Sequence, residues 1–169
     1  MTATKSVLAC DIGNTRIALA AVAGEDVSNV CRAEAGRFES LDAVVAELWA
    51  EMPEPRCVAA SSVNPSHLEA LEMAVHEALG EQVRLVGRDL PLPIETDVPD
   101  AQQVGTDRLC AAAMAYHRLG EACVVGQFGT AITIDCVDDA GVFLGGAILP
   151  GLALQTKALH QGTAALPEV

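Results

Sequence analysis

Two short polar turns, each set between apolar runs, constrain this chain more than any other feature. The first is Asp11-Ile12-Gly13-Asn14-Thr15, between VLAC and IALAAV. The second is Gln127-Phe128-Gly129-Thr130-Ala131, inside ACVVGQFGTAITIDCV. Each places a polar residue, a bulky apolar one, then glycine with threonine close behind. Gly and Asn supply the backbone angles that tight hairpins demand, so a plain β-hairpin accounts for either turn alone. Repetition at the start of each half is what a duplicated two-domain fold leaves in a sequence.

The pattern around the turns is that of a mixed α/β chain. Alternating and continuous apolar runs predict strands over Ser6–Ile12, Arg16–Val22 and Val27–Ala33. Leu41, Val44, Val45, Leu48, Trp49 and Met52 recur at helical spacing, with Ser40 as N-cap. RCVAASSV (56–63) reads as a buried strand. Asn64-Pro65 then opens a second helix on Leu68, Leu71, Val75 and Leu79, asparagine as cap and proline in the first turn. After the short strand VRLVG and a proline-rich loop, a third helix starts between Asp100 and Thr106 and runs to about Leu119. Three hairpin-joined strands followed by alternating units predict a mixed sheet flanked by helices. The Leu and Val stripes are expected to be core.

Composition narrows the partners. With 23 acidic and 10 basic residues, the net charge of −13 disfavours nucleic acid and anionic membrane, and no basic stripe offsets it. An anionic ligand therefore needs local backbone N–H groups and a metal ion to attract it. No apolar run reaches the roughly 20 residues that span a bilayer, and the N-terminal MTATKSVLACD lacks a signal-peptide layout. The six cysteines are scattered singly. Without CxxC or Cys/His spacing they read as reduced, mostly buried thiols of a cytoplasmic protein.

Glycine turns present backbone N–H groups to phosphates, and two facing turns would cradle a polyphosphate. Asp11 offers an oxygen ligand to Mg²⁺, and Thr15 and Thr130 add hydroxyl donors. In VGTDR, Gly105 admits a close backbone approach by a ligand. Asp107 lies in the first turn of a helix, where the dipole favours its carboxylate and suits it to handle a hydroxyl proton. Arg108 suits a carboxylate. The plainer alternative is that Asp107 only favours its helix start and Arg108 pairs with a surface acid. No GxxxxGK[ST] occurs, so a P-loop reading has no support. His67 and His76 read as a solvated helix face, His117 and His160 lack metal-ligand spacing, and Ser61-Ser62 precede no nucleophile elbow.

Taken in order, DIGNT (11–15), SSVNP (61–65), VGTDR (104–108), GTAITID (129–135) and GGAILPG (145–151), with TAALP (163–167), resemble the type III pantothenate kinase family. The resemblance spans essentially the whole chain. It implies the α/β, actin-like (ribonuclease H-like) duplicated fold of the acetate and sugar kinase/Hsp70/actin superfamily. The expected first domain, residues 1–119, is complete, with a mixed sheet and flanking helices; the second, 120–169, is cut short. The implied reaction is ATP-dependent phosphorylation of pantothenate on its terminal hydroxyl, the first step of coenzyme A synthesis. By the same resemblance Asp11, Gly13, Asn14 and Thr15 form a first phosphate loop, with Asp11 managing Mg²⁺. Gly129, Thr130 and Ala131 form a second. Gly105, Thr106, Asp107, Arg108 and Thr163 belong to the pantothenate pocket, with Asp107 as general base. A monovalent cation such as K⁺ or NH₄⁺, a homodimer and a cytoplasmic location are also implied.

Three features depart from the family pattern. Gln127 stands where members usually carry an aspartate, keeping an oxygen but losing a charge. If that charge is worth about 3–4 kcal/mol in the transition state, the rate falls roughly a hundred- to thousand-fold. Thr96 stands where a tyrosine is common. Members also continue past the TAALP region, so a half-built second domain is expected to expose apolar strand surface. These departures keep two alternatives open: a non-catalytic homologue that binds a metabolite or partner, and a subunit that needs a separate C-terminal piece.

Overall fold

The computed structural model describes residues 5–34, 40–163 and 167. They group into two compact units: the described residues up to Leu92 with Gly105–Asp107, and Pro93–Val104 with those from Arg108 onward. The division at 119/120 drawn from the sequence followed the glycine after the third helix. The structure instead groups most of that helix with the second unit, because Arg108 and Tyr116 hydrogen-bond to residues there.

In the first unit β1 (Ser6–Ile12), β2 (Arg16–Ala23) and β3 (Asp26–Glu34) form an antiparallel meander. Short turns permit this, whereas parallel pairing needs a crossover. Helix α1 (Leu41–Glu51) carries the chain to β4 (Arg56–Ser62), parallel to β1, and α2 (Pro65–Leu79) carries it to β5 (Val83–Leu85), parallel to β4. The strand order is β3-β2-β1-β4-β5.

Period-two alternation turns Leu8, Cys10, Ile12, Ile17, Leu19 and Ala21 to one face, where they bury with Val45, Leu48 and Trp49 of α1 and Leu71 and Val75 of α2. Each fully buried Leu or Ile contributes about 1.5–3 kcal/mol. Asn64 caps α2, its side chain accepting from the His67 amide, with Pro65 at the first position. Ser40 occupies the N-cap position of α1 without a side-chain capping bond. At the other end of α1, Arg56 stacks on the Trp49 ring at 4.6 Å and donates to the Trp49 and Met52 carbonyls, satisfying acceptors a helix end leaves open.

The second unit contains β6 (Glu95–Thr96), a 3₁₀ turn (Ala101–Gln103) and α3 (Thr106–Leu119), whose first two residues group with the first unit. Strands β7 (Cys123–Phe128), β8 (Ala131–Val137) and β9 (Val142–Pro150) follow, then α4 (Leu152–Gly162). The sheet order is β6-β9-β8-β7, with β7-β8-β9 a second antiparallel meander and β6 parallel to β9. Thr96 lies opposite Phe143 in that parallel pair. Thr133, Asp135, Val137 and Phe143 are buried, as are Leu109 and Ala112 of α3. Val124, Phe128, Ile134, Leu144 and Leu149 are exposed, Phe128 by 77%. The expectation that every Leu and Val stripe is core thus fails in this sheet.

All six cysteines are free, but only Cys10 is fully buried. Cys31 and Cys123 lie on edge strands, and Cys57 and Cys136 on the less covered faces of their sheets, which corrects the mostly buried expectation. Burial pushes the Cys10 thiol up to about 12, leaving it unreactive at neutral pH. Among the described residues no helix is long and apolar enough to cross a membrane.

Candidate functional site

The first polar turn is closed by Gly13 N–H donating to the Arg16 carbonyl at 2.9 Å, one step beyond the Ile12–Ile17 pair. Asn14 and Thr15 are left exposed at its tip. Asp11 precedes it on the sheet face opposite the core, because Ile12 and Cys10 take the buried positions. Beta4 ends beside β1, pairing Ser61 with Asp11 and Ser62 with Ile12, and Val63 N–H donates to the Ile12 carbonyl at 3.0 Å. Both parallel strands thus finish together, and ligands of open α/β sheets bind at such carboxyl ends.

The segment Gly105–Asp107 is stitched to this edge. Thr106 Oγ1 lies 2.9 Å from Ser61 Oγ, and the Ser62 amide donates to it at 3.2 Å. A Cβ on Gly105 would meet Asp107 Oδ1 at 2.5 Å and Val63 Cγ1 at 3.3 Å. Asp107's own carboxylate thus makes one close approach to Gly105.

Asp107 and Asp11 are within electrostatic reach of each other. The Asp11 carboxyl lies above the usual range, first because surrounding protein desolvates it although its tip meets solvent, then because Asp107 repels its charge; Arg16 opposes both. The folded state therefore binds the Asp11 proton more tightly than the unfolded chain does. Stability contributed by that protonation is present at low pH and lost as pH rises through the raised value. Asp11→Asn is expected to raise the melting temperature at pH 7, with the gain disappearing below about pH 4, where an ordinary carboxyl also protonates. Thermal melts at both pH values check this, and an equal shift at both would contradict it.

Among the described residues no group of three or more His, Cys, Asp or Glu side chains could hold a metal ion. A pair such as Asp11 and Asp107 instead fits an ion like Mg²⁺, which keeps several waters and takes substrate phosphate oxygens beside one or two carboxylates. A cleft of about 690 Å³ adjoins the turn, lined by Asn14, Thr15, Arg16, Arg32, Ala33 and Glu34. Its two arginines place positive charge locally on an acidic protein.

His67 corrects the solvated-face reading. Its Nδ1 lies 2.9 Å from the Gly13 carbonyl oxygen, so α2 reaches the turn. Sequence separation hid this contact; the signal available was that α2 begins immediately after a strand ending beside β1.

The second unit holds the second turn by other means. Gly129 N–H donates to the Ala131 carbonyl at 3.0 Å, and Gly151 N–H to the Thr130 carbonyl at 2.9 Å. A Cβ on Gly151 would collide with the Gly129 and Thr130 carbonyl oxygens, so the final glycine of GGAILPG seats that loop against the turn. Gln127 Oε1 accepts from the Thr133 hydroxyl at 3.2 Å. Asp135 does not replace the carboxylate absent at Gln127. It is fully buried and accepts from Nε and Nη2 of Arg108, which also lies 5.8 Å from the Phe143 ring centre. Arg108 therefore pairs with a buried acid, not a surface one. Gly146 makes room for the β8 backbone first, since a Cβ there would collide with the Ile134 carbonyl oxygen, and for Asp135 Oδ1, which it would meet at 2.7 Å. Thr163 ends α4 with its hydroxyl donating to the Leu159 carbonyl at 2.8 Å; residues 164–166 of the closing motif lie outside the described residues.

The structure thus brings Asp11, Gly13, Asn14, Thr15, Gly105, Thr106 and Asp107 into one unit, and Arg108, Gly129, Thr130, Ala131 and Thr163 into the other. A family model described as type III pantothenate kinase matches residues 7–169. A relative of that name from Moorella thermoacetica is 31% identical over 170 residues, covering 96% of this chain and 67% of its own. One from Ruegeria pomeroyi is 35% identical over 170 residues, covering 96% and 66%. One from Rhodopirellula baltica is 42% identical over 115 residues, covering 66% and 41%. The chain spans about two thirds or less of the length of these curated relatives. Among solved structures, the ethanolamine utilization protein EutJ of Carboxydothermus hydrogenoformans matches with a TM-score of 0.51 at 17% identity, covering 92% of this chain and 56% of that one. An exopolyphosphatase-like protein matches with a TM-score of 0.50 at 13% identity, covering 99% and 57%. At such identities the likeness is one of fold, the actin-like α/β class expected from the sequence.

Proposed function

The chain belongs to the type III pantothenate kinase family, and from that premise we propose that it serves ATP-dependent phosphorylation of pantothenate to 4′-phosphopantothenate, the first step of coenzyme A biosynthesis. One observation carries the reading: the first unit gathers Asp11 and Asp107 beside a glycine turn at the carboxyl edge of two parallel strands. The turn's N–H groups and the Thr15 hydroxyl take phosphate oxygens, and Arg16 and Arg32 supply positive charge beside it. Asp107 orients the pantothenate hydroxyl and receives its proton. The hydroxyl oxygen bonds to the γ-phosphorus as the bond to the ADP bridging oxygen breaks in line.

Asp11, with Asp107 nearby, would hold Mg²⁺; bound there, the ion supplies charge that neutralises the phosphates. Gly129, Thr130 and Ala131 form the second phosphate turn. Gly105, Thr106, Arg108 and Thr163 belong to the pantothenate pocket, with Asp135 fixing the Arg108 guanidinium. A monovalent cation such as K⁺ or NH₄⁺, a homodimer and a cytoplasmic location complete the reading.

Gln127 favours a second reading, a homologue that binds without phosphoryl transfer, since no carboxylate stands at that position. Mass-spectrometric detection of 4′-phosphopantothenate separates the two, using the purified chain with pantothenate, ATP, Mg²⁺ and K⁺ beside a Gln127→Asp variant. The expected result is product from the parent and a rate about a hundred- to thousand-fold higher in Gln127→Asp. Pantothenate binding without product from either protein would overturn the kinase reading.

A further inference from the structure

Among the features left over from the kinase reading, the contact between α2 and the first turn is the most specific. His67 Nδ1 and the Gly13 carbonyl oxygen are 2.9 Å apart. A carbonyl oxygen only accepts, so Nδ1 carries the proton and donates. His67 is itself held: its amide donates to Asn64 Oδ1 at 3.2 Å, and Pro65 fixes the entry to the helix. Asn64 reaches the same turn, its Nδ2 donating to Asn14 Oδ1 at 3.4 Å. Two side chains of α2's first turn and cap thus grip consecutive residues of the turn.

The consequence lies in the peptide plane. Gly13 C=O and Asn14 N–H belong to one planar trans unit and point in opposite directions. Glycine lets such a unit rotate at little steric cost, so something else must set its orientation. Resting on the kinase reading, we propose that His67 is a positioning residue for the Gly13–Asn14 peptide. By anchoring the carbonyl on the α2 side, it aims the Asn14 N–H the opposite way, toward a phosphate group of the nucleotide.

His67→Ala and His67→Asn test this against the parent chain. Asparagine Nδ2 and histidine Nδ1 are each one bond from Cγ, so His67→Asn can keep the donor while removing the ring. Two readouts are taken: amide hydrogen exchange at Asn14–Arg16, and calorimetric titration with a non-hydrolysable ATP analogue and, separately, with pantothenate. His67→Ala is expected to speed exchange in the turn, leave Leu8–Cys10 unchanged, and weaken the analogue about 3- to 10-fold without altering pantothenate binding. His67→Asn is expected to restore both. Unchanged turn exchange and unchanged analogue affinity in His67→Ala overturn the proposal. So does equal weakening of both ligands, which marks a general loss of structure. A parent that binds no analogue overturns the kinase reading and the phosphate role with it; the exchange readout distinguishes that failure from failure of the clamp.

Discussion

Asp135→Ala is expected to destabilise the second unit by about 3–5 kcal/mol. Asp135 is wholly inaccessible, the Arg108 side chain is 11% exposed, and two guanidinium nitrogens donate to the carboxylate. Removing the acid takes from the Arg108 cation, which lies against the Phe143 ring, the buried carboxylate that offsets its lost hydration. The pair itself need not stabilise much, because desolvating two ions consumes most of their attraction. Arg108→Met with Asp135→Val, which removes both charges and roughly keeps the volume, is therefore expected to cost far less than either single change. Denaturant-dependent hydrogen exchange at Ile134–Val137 follows β8 by itself, so unfolding of the first unit does not enter the measurement. A loss below about 1 kcal/mol in Asp135→Ala would mean that the side chains separate in solution and each finds water.

Asp107→Asn is expected to lower the proposed phosphoryl transfer by roughly 10²–10⁴-fold, the usual contribution of a positioned general base. Asparagine keeps the shape that packs over Gly105 but cannot receive the hydroxyl proton. Pantothenate and nucleotide binding should persist, so the loss should fall on kcat rather than on KM. Rates of 4′-phosphopantothenate formation, with both binding constants measured on the same preparations, check the prediction. Undiminished turnover would remove Asp107 from the reaction as its general base.

These two residues mark the line between what pattern reveals and what it hides. The strands around both turns follow from period-two alternation, and α2 from a helical stripe with Asn64 and Pro65 in front of it. Such features depend on neighbours a few positions away, so the sequence alone determined them, along with the duplicated turns and the motif order that names the family. Gly105 was recognised as a point of close approach, but not that Asp107's own carboxylate lies against it. Arg108 and Asp135 lie 27 residues apart, and His67 and Gly13 54 apart. Their meeting depends on strand register and helix placement, which no local pattern encodes. The tertiary structure alone decided that Asp135 is a buried counter-charge rather than a spare carboxylate, that His67 holds a turn rather than facing solvent, and that Asp11 and Asp107 share one electrostatic field. Local preference sets each segment's conformation and buried face, while the pairing of distant side chains is set only when those faces pack.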